Sequence, residues 1–127
     1  DRAVLRAMHF YGDNARVEKQ AAALKAGDFE TFKKYIIESG RSSYMYNQNV
    51  YSCKKTSEQP VSLALSLSEK LLDGCGAWRV HGGGFAGTIQ AFVPLNKLYE
   101  YKDLMEKVFG SGSCYILSVR PVGGVEL

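Results

Sequence analysis

The sequence has few of the residues that form metal sites or disulfides. Its 127 residues include two histidines and three cysteines. Cys53, Cys75 and Cys114 are an odd number without a Cys-x-x-Cys spacing, which indicates reduced thiols in a cytoplasmic protein rather than a disulfide framework. His9 and His81 alone supply too few ligands for a metal ion, so we expect no metal site.

A large excess of charge and long apolar runs are also absent. Lys and Arg number 16 against 13 Asp and Glu, which gives a formal net charge of +3. Proteins that bind nucleic acid usually cluster basic residues on one face, so we expect no nucleic-acid partner. No apolar run approaches the roughly 18 residues of a membrane-spanning helix, so we expect no membrane association. The length and a hydrophobic content of 46% predict one globular domain over residues 1–127.

Hydrophobic periodicity predicts three helices in the first half of the chain. Apolar residues at helical spacing predict a long helix that ends at Gly27, followed by a second helix that Asp28 caps. Residues 40–51 are rich in Ser, Tyr and Asn and begin with a glycine, so we expect irregular structure there. A third helix begins around Pro60, which suits the first turn of a helix.

The second half of the chain predicts strands and one more helix. Residues 77–80 and 88–93 have the composition of strands and flank a glycine-rich loop. Asn96 is expected to cap a fourth helix, and residues 114–119 form an apolar run typical of a buried strand. This order predicts an α+β fold, with an antiparallel sheet covered by helices on one face. Leu65 of the third helix and Ile116 of the last strand are expected to meet in one core.

The glycine-rich loop carries the strongest functional signal. Glycine tolerates positive φ and lets a ligand or another backbone approach closely. A tight hairpin is the commoner use of such a loop, and a phosphate cradle is the alternative. The run after the glycines is β-branched and aromatic, and no Gly-Lys-Ser/Thr follows, so neither a dinucleotide fingerprint nor a Walker loop fits. Four of the chain's 13 glycines lie here, namely Gly82, Gly83, Gly84 and Gly87.

Each of three side chains near these glycines has two possible roles, one structural and one in binding a ligand. Arg79 is expected either to reach a phosphate or to pair with a carboxylate at the edge of the core. His81 either donates to a phosphate or sugar hydroxyl or holds the turn by a hydrogen bond. Phe85 either fills the core beneath the loop or stacks on a base. No residue in the sequence fits the role of a general base, so we expect no catalytic residue in this chain.

Residues 79–88, Arg-Val-His-Gly-Gly-Gly-Phe-Ala-Gly-Thr, resemble the third motif of galactokinases in the GHMP small-molecule kinase superfamily. That motif typically reads Arg-Met-Thr-Gly-Gly/Ala-Gly-Phe-Gly-Gly-Cys. Residues 6–10 and 14–17 resemble the family's Arg-Ala-x-His and Glu-x-x-Arg-Val segments. Residues 24–28 resemble its Leu-x-x-Gly-Asp, and residues 38–39 its Glu-Ser-His. The pieces keep the family's order over nearly the whole chain.

Departures from the family pattern lie in the motifs themselves. His81 stands where the family has Thr, Thr88 where it has Cys, and Gly40 where it has His. The family's Gly-Glu-His-x-Asp-Tyr sugar segment and Pro-x-Gly-x-Gly-Leu-Ser-Ser phosphate loop do not occur. The resemblance therefore implies that residues 1–127 are the C-terminal part of a longer two-domain kinase, with a ferredoxin-like fold.

The implied reaction is ATP-dependent phosphorylation of the C1 hydroxyl of a sugar. ATP and Mg²⁺ would be bound mainly by the missing N-terminal part, against which this domain packs, and the isolated chain would be inactive. A non-catalytic sugar sensor and an independent ferredoxin-like binding or dimerisation module are the alternatives. The glycine-rich loop would wall the phosphate-transfer cleft, through Arg79, His81, Gly82, Gly83, Gly84, Phe85 and Gly87.

Overall fold

A computed structural model describes residues 1–85 and 87–119 of the chain. The α+β class is confirmed, because four α-helices and a two-stranded antiparallel sheet make up these residues. Among the helices within these ranges, none has both the length and the apolar character to cross a membrane. The elements are α1 (Arg2–Lys25), α2 (Phe29–Ser42), a π-helical turn (Ser43–Asn47), α3 (Pro60–Leu72), β1 (Ala77–Val80), β2 (Ile89–Phe92), a 3₁₀ turn (Leu95–Lys97) and α4 (Leu98–Phe109).

The turn between α1 and α2 forms as its residues predict. Gly27 has a φ of +70°, the left-handed conformation that commonly ends a helix. The side chain of Asp28 then accepts a hydrogen bond of 3.0 Å from the backbone amide of Thr31, which satisfies one free donor at the start of α2. Asn96 gives no such cap, since it lies within the 3₁₀ turn and α4 has no side-chain cap.

Helix α2 continues through Gly40 to Ser42, so the prediction of irregular structure from residue 40 is wrong at its start. The reason is close packing of α2 on β1. A Cβ added at Gly40 would lie 2.9 Å from Cβ of Arg79 and 3.2 Å from the carbonyl oxygen of Trp78. The glycine therefore serves a helix–strand contact. The chain leaves the helical region only at Gln48, whose φ is +52°.

Strands β1 and β2 pair antiparallel in a register that places Ala77 opposite Phe92 and Val80 opposite Ile89. The predicted strand at residues 114–119 is wrong, because no strand forms there in the described part of the chain. That segment has no described strand beside it, and Ile116 is 53% exposed rather than buried. A ferredoxin-like sheet needs more strands than these two, so that finer prediction stays a prediction.

The core lies between the helices and the sheet. Leu72, Ala77 and Val80 have no exposed surface. Leu65 is half-buried and packs against the cluster around Leu72 as well as the one around Val80, as its place on the apolar side of α3 predicts. Burial of β1 between α2 and α3 fixes the position of the loop that leaves its end.

Candidate functional site

The glycine-rich loop is the turn of the β1–β2 hairpin. The backbone amide of His81 donates to the carbonyl oxygen of Thr88 at 3.0 Å, which extends the ladder by one pair. Inside it, Gly82 and Gly84 have φ values of +56° and +84°, and Gly87 has +82°. These values favour glycine over any residue with a Cβ, so the hairpin geometry by itself accounts for three of the four glycines.

Asn49 holds this loop from below. The side chain of Asn49 is buried, and its Nδ2 donates to the carbonyl oxygen of Gly83 at 3.1 Å. The hydroxyl of Ser43, also buried, donates to Oδ1 of Asn49 at 3.2 Å. Gly84 packs directly on Asn49, because a Cβ added to this glycine would overlap the carbonyl oxygen of Asn49. The π-helical turn and the residues just after it therefore fix the shape of the loop.

A cavity of about 220 Å³ lies between the loop, helix α1 and the π-helical turn. Two arginines and a histidine line it, and none of the Asp and Glu residues that the structure describes does. It is therefore rich in hydrogen-bond donors and positive charge, a lining that suits an anion. The lining residues are Arg6, His9, Ser43, Asn47, Asn49, Arg79, Gly82, Gly83 and Phe85.

Arg79 forms no ion pair with a carboxylate among the residues that the structure describes. Its Nε donates to the carbonyl oxygen of Val80 at 3.1 Å. The predicted structural pairing is therefore absent from this part of the chain. The half-buried guanidinium instead faces the cavity, where its charge acts on His9.

A network of polar side chains lies behind the cavity, where α1 meets α2. Nδ1 of His9 lies 3.0 Å from the hydroxyl oxygen of Ser42. Oδ1 of Asp13 accepts hydrogen bonds from the hydroxyl of Ser39 and from Nε of Arg16, the latter at 3.1 Å. This network joins α1, which lines the cavity, to α2, which leads into the π-helical turn.

The network shifts the pKa values of two of its members. Burial lowers the pKa of His9, and the charges of Arg16 and Arg79 lower it further against the opposing charge of Asp13. Burial alone would raise the pKa of Asp13, but hydrogen bonds from Ser39 and Arg16, with the charges of Arg79 and His9, outweigh burial and lower that pKa. The network therefore favours a neutral imidazole beside an ionised carboxylate.

We expect Asp13→Asn to lower the free energy of unfolding by roughly 1–3 kcal/mol at neutral pH, because it weakens half-buried hydrogen bonds to a charged group. The folded pKa of Asp13 lies below its unfolded value, so the unfolded chain binds more protons in acid and stability falls as the pH falls. The variant should therefore lose stability less steeply than the wild type between about pH 5 and pH 2. Urea unfolding across this pH range measures both effects.

Asp103→Asn is the matched control for that experiment. Asp103 pairs with Lys107 on the exposed face of α4, and such pairs contribute about 0–1 kcal/mol. The control should therefore change stability little at neutral pH. Equal losses in the two variants, or an unchanged acid slope in Asp13→Asn, would contradict the role given to the network.

The structure brings together some of the residues predicted from the sequence and leaves others apart. Arg79, Gly82, Gly83 and Phe85 line the cavity. Phe85 is 68% exposed, so the prediction that it fills the core is wrong. The remaining predicted residues lie outside the lining: His81 and Gly87 are exposed, and Gly84 is buried against Asn49.

Sequence reasoning missed five residues of the cavity as candidates for a site. Arg6 and His9 were signalled, because they belong to the segment that resembles the Arg-Ala-x-His of galactokinases. Ser43, Asn47 and Asn49 gave no signal, since they lie in a Ser/Asn/Tyr-rich stretch without a recognisable spacing. Only the folded chain shows that this stretch supports the glycine loop.

A wider concavity of about 530 Å³ lies elsewhere, between the start of α3 and the end of α4. Its lining includes Pro60, Leu63 and Phe109, with Glu58 as the charged residue. Among the described residues that line it there is no arginine, lysine or histidine, and none belongs to the glycine loop. The cavity beside the glycine loop is therefore the better candidate for a binding site, although it is the smaller of the two.

The residues of the smaller cavity do not fit a metal ion. Mg²⁺ prefers carboxylate ligands, and the lining contains none. Within residues 1–85 and 87–119, no group of three or more His, Cys, Asp or Glu side chains is arranged to hold a metal. The lining fits an anionic group instead.

The chain is similar to the galactokinase of Homo sapiens. The two are 30% identical over 122 residues, which is 96% of this chain. The chain spans only 29% of the length of that relative. No family model matches the chain, and no solved structure matches it. This similarity indicates a distant relationship to galactokinase.

Proposed function

We propose that the chain is the C-terminal domain of an ATP-dependent sugar kinase, which phosphorylates the C1 hydroxyl of galactose or a similar sugar in the cytoplasm. One observation carries the proposal: a similarity to galactokinase over 96% of the chain includes a glycine loop that borders a cavity of positive charge. A hairpin with a purely structural role would not need arginines that converge on its turn.

Phosphoryl transfer depends on positioning and on stabilisation of charge, which backbone amides and arginines provide without covalent chemistry. Gly82 and Gly83 present their backbone to the cavity without side chains that would fill it. Arg79 adds a positive charge held by a buried strand. In this proposal the loop walls the phosphate-transfer cleft. ATP, Mg²⁺ and the general base are held by a preceding domain that packs against this one.

Gly83→Val in a longer protein that contains this chain tests the role of the loop. A Cβ on Gly83 meets no atom within 4 Å, and the φ of Gly83 is not positive, so the variant should fold. Its branched side chain would occupy the cavity, so we expect kcat/KM for galactose-dependent ADP release to fall at least about tenfold, or roughly 1.4 kcal/mol. Thr56→Val, in an exposed loop far from the cavity, is the control.

Two results would count against the proposed function. An unchanged kcat/KM in the Gly83→Val enzyme would show that the loop does not line the phosphate-transfer cleft. Turnover of galactose by the pure 127-residue chain would contradict the division of labour between two domains. A longer protein that binds galactose without forming ADP would instead be a sugar sensor, and one that binds neither substrate would be an unrelated binding or dimerisation module.

A further inference from the structure

We propose that the cavity of about 220 Å³ beside the hairpin is a binding site for one phosphate group, held by Arg6 and Arg79 and by the backbone amides of Gly82 and Gly83. The identity of its ligand as a phosphorylated sugar or nucleotide rests on the proposed function. The binding of the phosphate group itself does not, because it follows from the charges, donors and size of the cavity.

Among the described residues, two arginines outside the cavity form ion pairs with carboxylates, whereas the two arginines of the cavity form none. Arg16 pairs with Asp13, and Arg41 pairs with Glu69. Arg6 and Arg79 form no ion pair with any carboxylate in the described ranges, although they line the same cavity. The charge of Arg79 acts on the carboxylate of Asp13 behind the cavity, but no ion pair forms between them. Both guanidinium groups therefore remain able to bind an anion in the cavity, and guanidinium groups bind phosphate oxygens well.

The backbone of the loop supplies further donors. The amides of Gly84 and Gly87 bond within the loop, but those of Gly82 and Gly83 donate to no residue that the structure describes. The φ values of Gly82 and Gly84 are positive, whereas that of Gly83 is not. Gly82 and Gly83 both line the cavity, and successive amides in a turn of alternating φ sign can form a concavity that binds anions. Asn49 fixes the carbonyl oxygen of Gly83, so the loop is held in this form.

The cavity is open to solvent and has room for one phosphate group. Its volume of about 220 Å³ is below the roughly 300–1,000 Å³ of sites for drug-sized molecules, so a larger ligand would lie partly outside it. A Cβ added at Gly82 or Gly83 meets no atom within 4 Å, so the space over these amides is open to a ligand. The rest of a phosphorylated ligand would extend from the mouth of the cavity.

Titration of the ¹⁵N-labelled 127-residue chain with inorganic phosphate at constant ionic strength tests the site. We expect saturable NMR shifts of the Gly82 and Gly83 amides. Arg6→Gln should weaken binding roughly tenfold, because it removes a charge-assisted hydrogen bond, and Arg79→Gln should do the same. Arg79→Lys should restore part of the affinity. Arg2→Gln, one turn before Arg6 on the same exposed helix and outside the cavity, should bind phosphate as the wild type does.

Each remaining outcome overturns the inference. These outcomes are absence of saturable shifts, equal weakening by Arg2→Gln and Arg6→Gln, and acetate binding as tightly as phosphate. The last would assign the cavity to a carboxylate side chain. The kinase proposal is decided separately by galactose-dependent ADP release in the longer protein. Phosphate binding without kinase activity would support the anion site and contradict the kinase proposal. Kinase activity without phosphate binding would support the kinase proposal and contradict the anion site.

Discussion

Gly84→Ala is expected to lower the free energy of unfolding by about 2–6 kcal/mol, the sum of two costs. The φ of Gly84 is +84°, which costs a residue with a Cβ about 1–3 kcal/mol. The new Cβ would also overlap the carbonyl oxygen of Asn49 and lie 2.9 Å from its Cγ, and such overpacking costs about 1–3 kcal/mol. Urea unfolding followed by circular dichroism measures the loss.

Gly83→Ala is the matched control, one residue earlier in the same turn. Its Cβ meets open space and its φ is not positive, so we expect a change within about 0.5 kcal/mol. A stable Gly84→Ala variant would show that the loop does not rest on Asn49. A strongly destabilised Gly83→Ala variant would show that the space above the loop is filled in the folded chain.

The sequence pattern does not distinguish Gly83 from Gly84, and only the folded structure shows that their surroundings differ. Composition and spacing predicted a glycine turn between two strands, and β1 and β2 confirm it. The contact that distinguishes Gly84 comes from Asn49, which lies 35 residues earlier and carries no local signal. A close approach between distant segments depends on the whole chain, so a pattern of neighbouring residues does not reveal it.

Local signals succeeded where the determining atoms are close in sequence. The cap at Asp28 and the left-handed Gly27 involve residues at most three positions apart. Gly40 was misread as a break, because its role is to let α2 approach β1 across the fold. The cavity combines local and long-range features. Its glycines were predicted from their spacing in the sequence, whereas the contributions of Arg6 and Asn49 depend on how α1 and the π-helical turn pack.

The prediction of a strand at residues 114–119 was wrong for a related reason. Its apolar composition is typical of a buried strand, but a strand forms only where another strand offers its backbone groups. Within the described residues none does, and Leu117 and Val119 are 87% and 91% exposed. The prediction that residues 114–119 are buried is therefore wrong. Truncating one buried residue and one residue of this run tests the difference directly.

Leu72→Ala is expected to lower the free energy of unfolding by about 2–5 kcal/mol, the range for truncating a fully buried leucine. Leu72 has no exposed surface and belongs to the same cluster as Trp78, Tyr101 and Met105, so it links α3 to β1 and α4. A cavity left there cannot close easily, because the backbone amides of Cys75 and Gly76 donate to the carbonyl oxygen of Leu72 and hold the turn after α3 in place. Denaturant midpoints at constant m-value give the loss.

Ile116→Ala is the comparison that decides between the sequence pattern and the structure. The apolar run predicts a loss as large as that at Leu72, whereas 53% exposure predicts less than about 1 kcal/mol. A large loss at Ile116 would mean that residues 114–119 are covered when the chain folds, so the sheet would extend beyond β1 and β2. A small loss at Leu72 would mean that α3, β1 and α4 do not share a core. The position of the glycine loop at the end of β1 would then lose its structural basis.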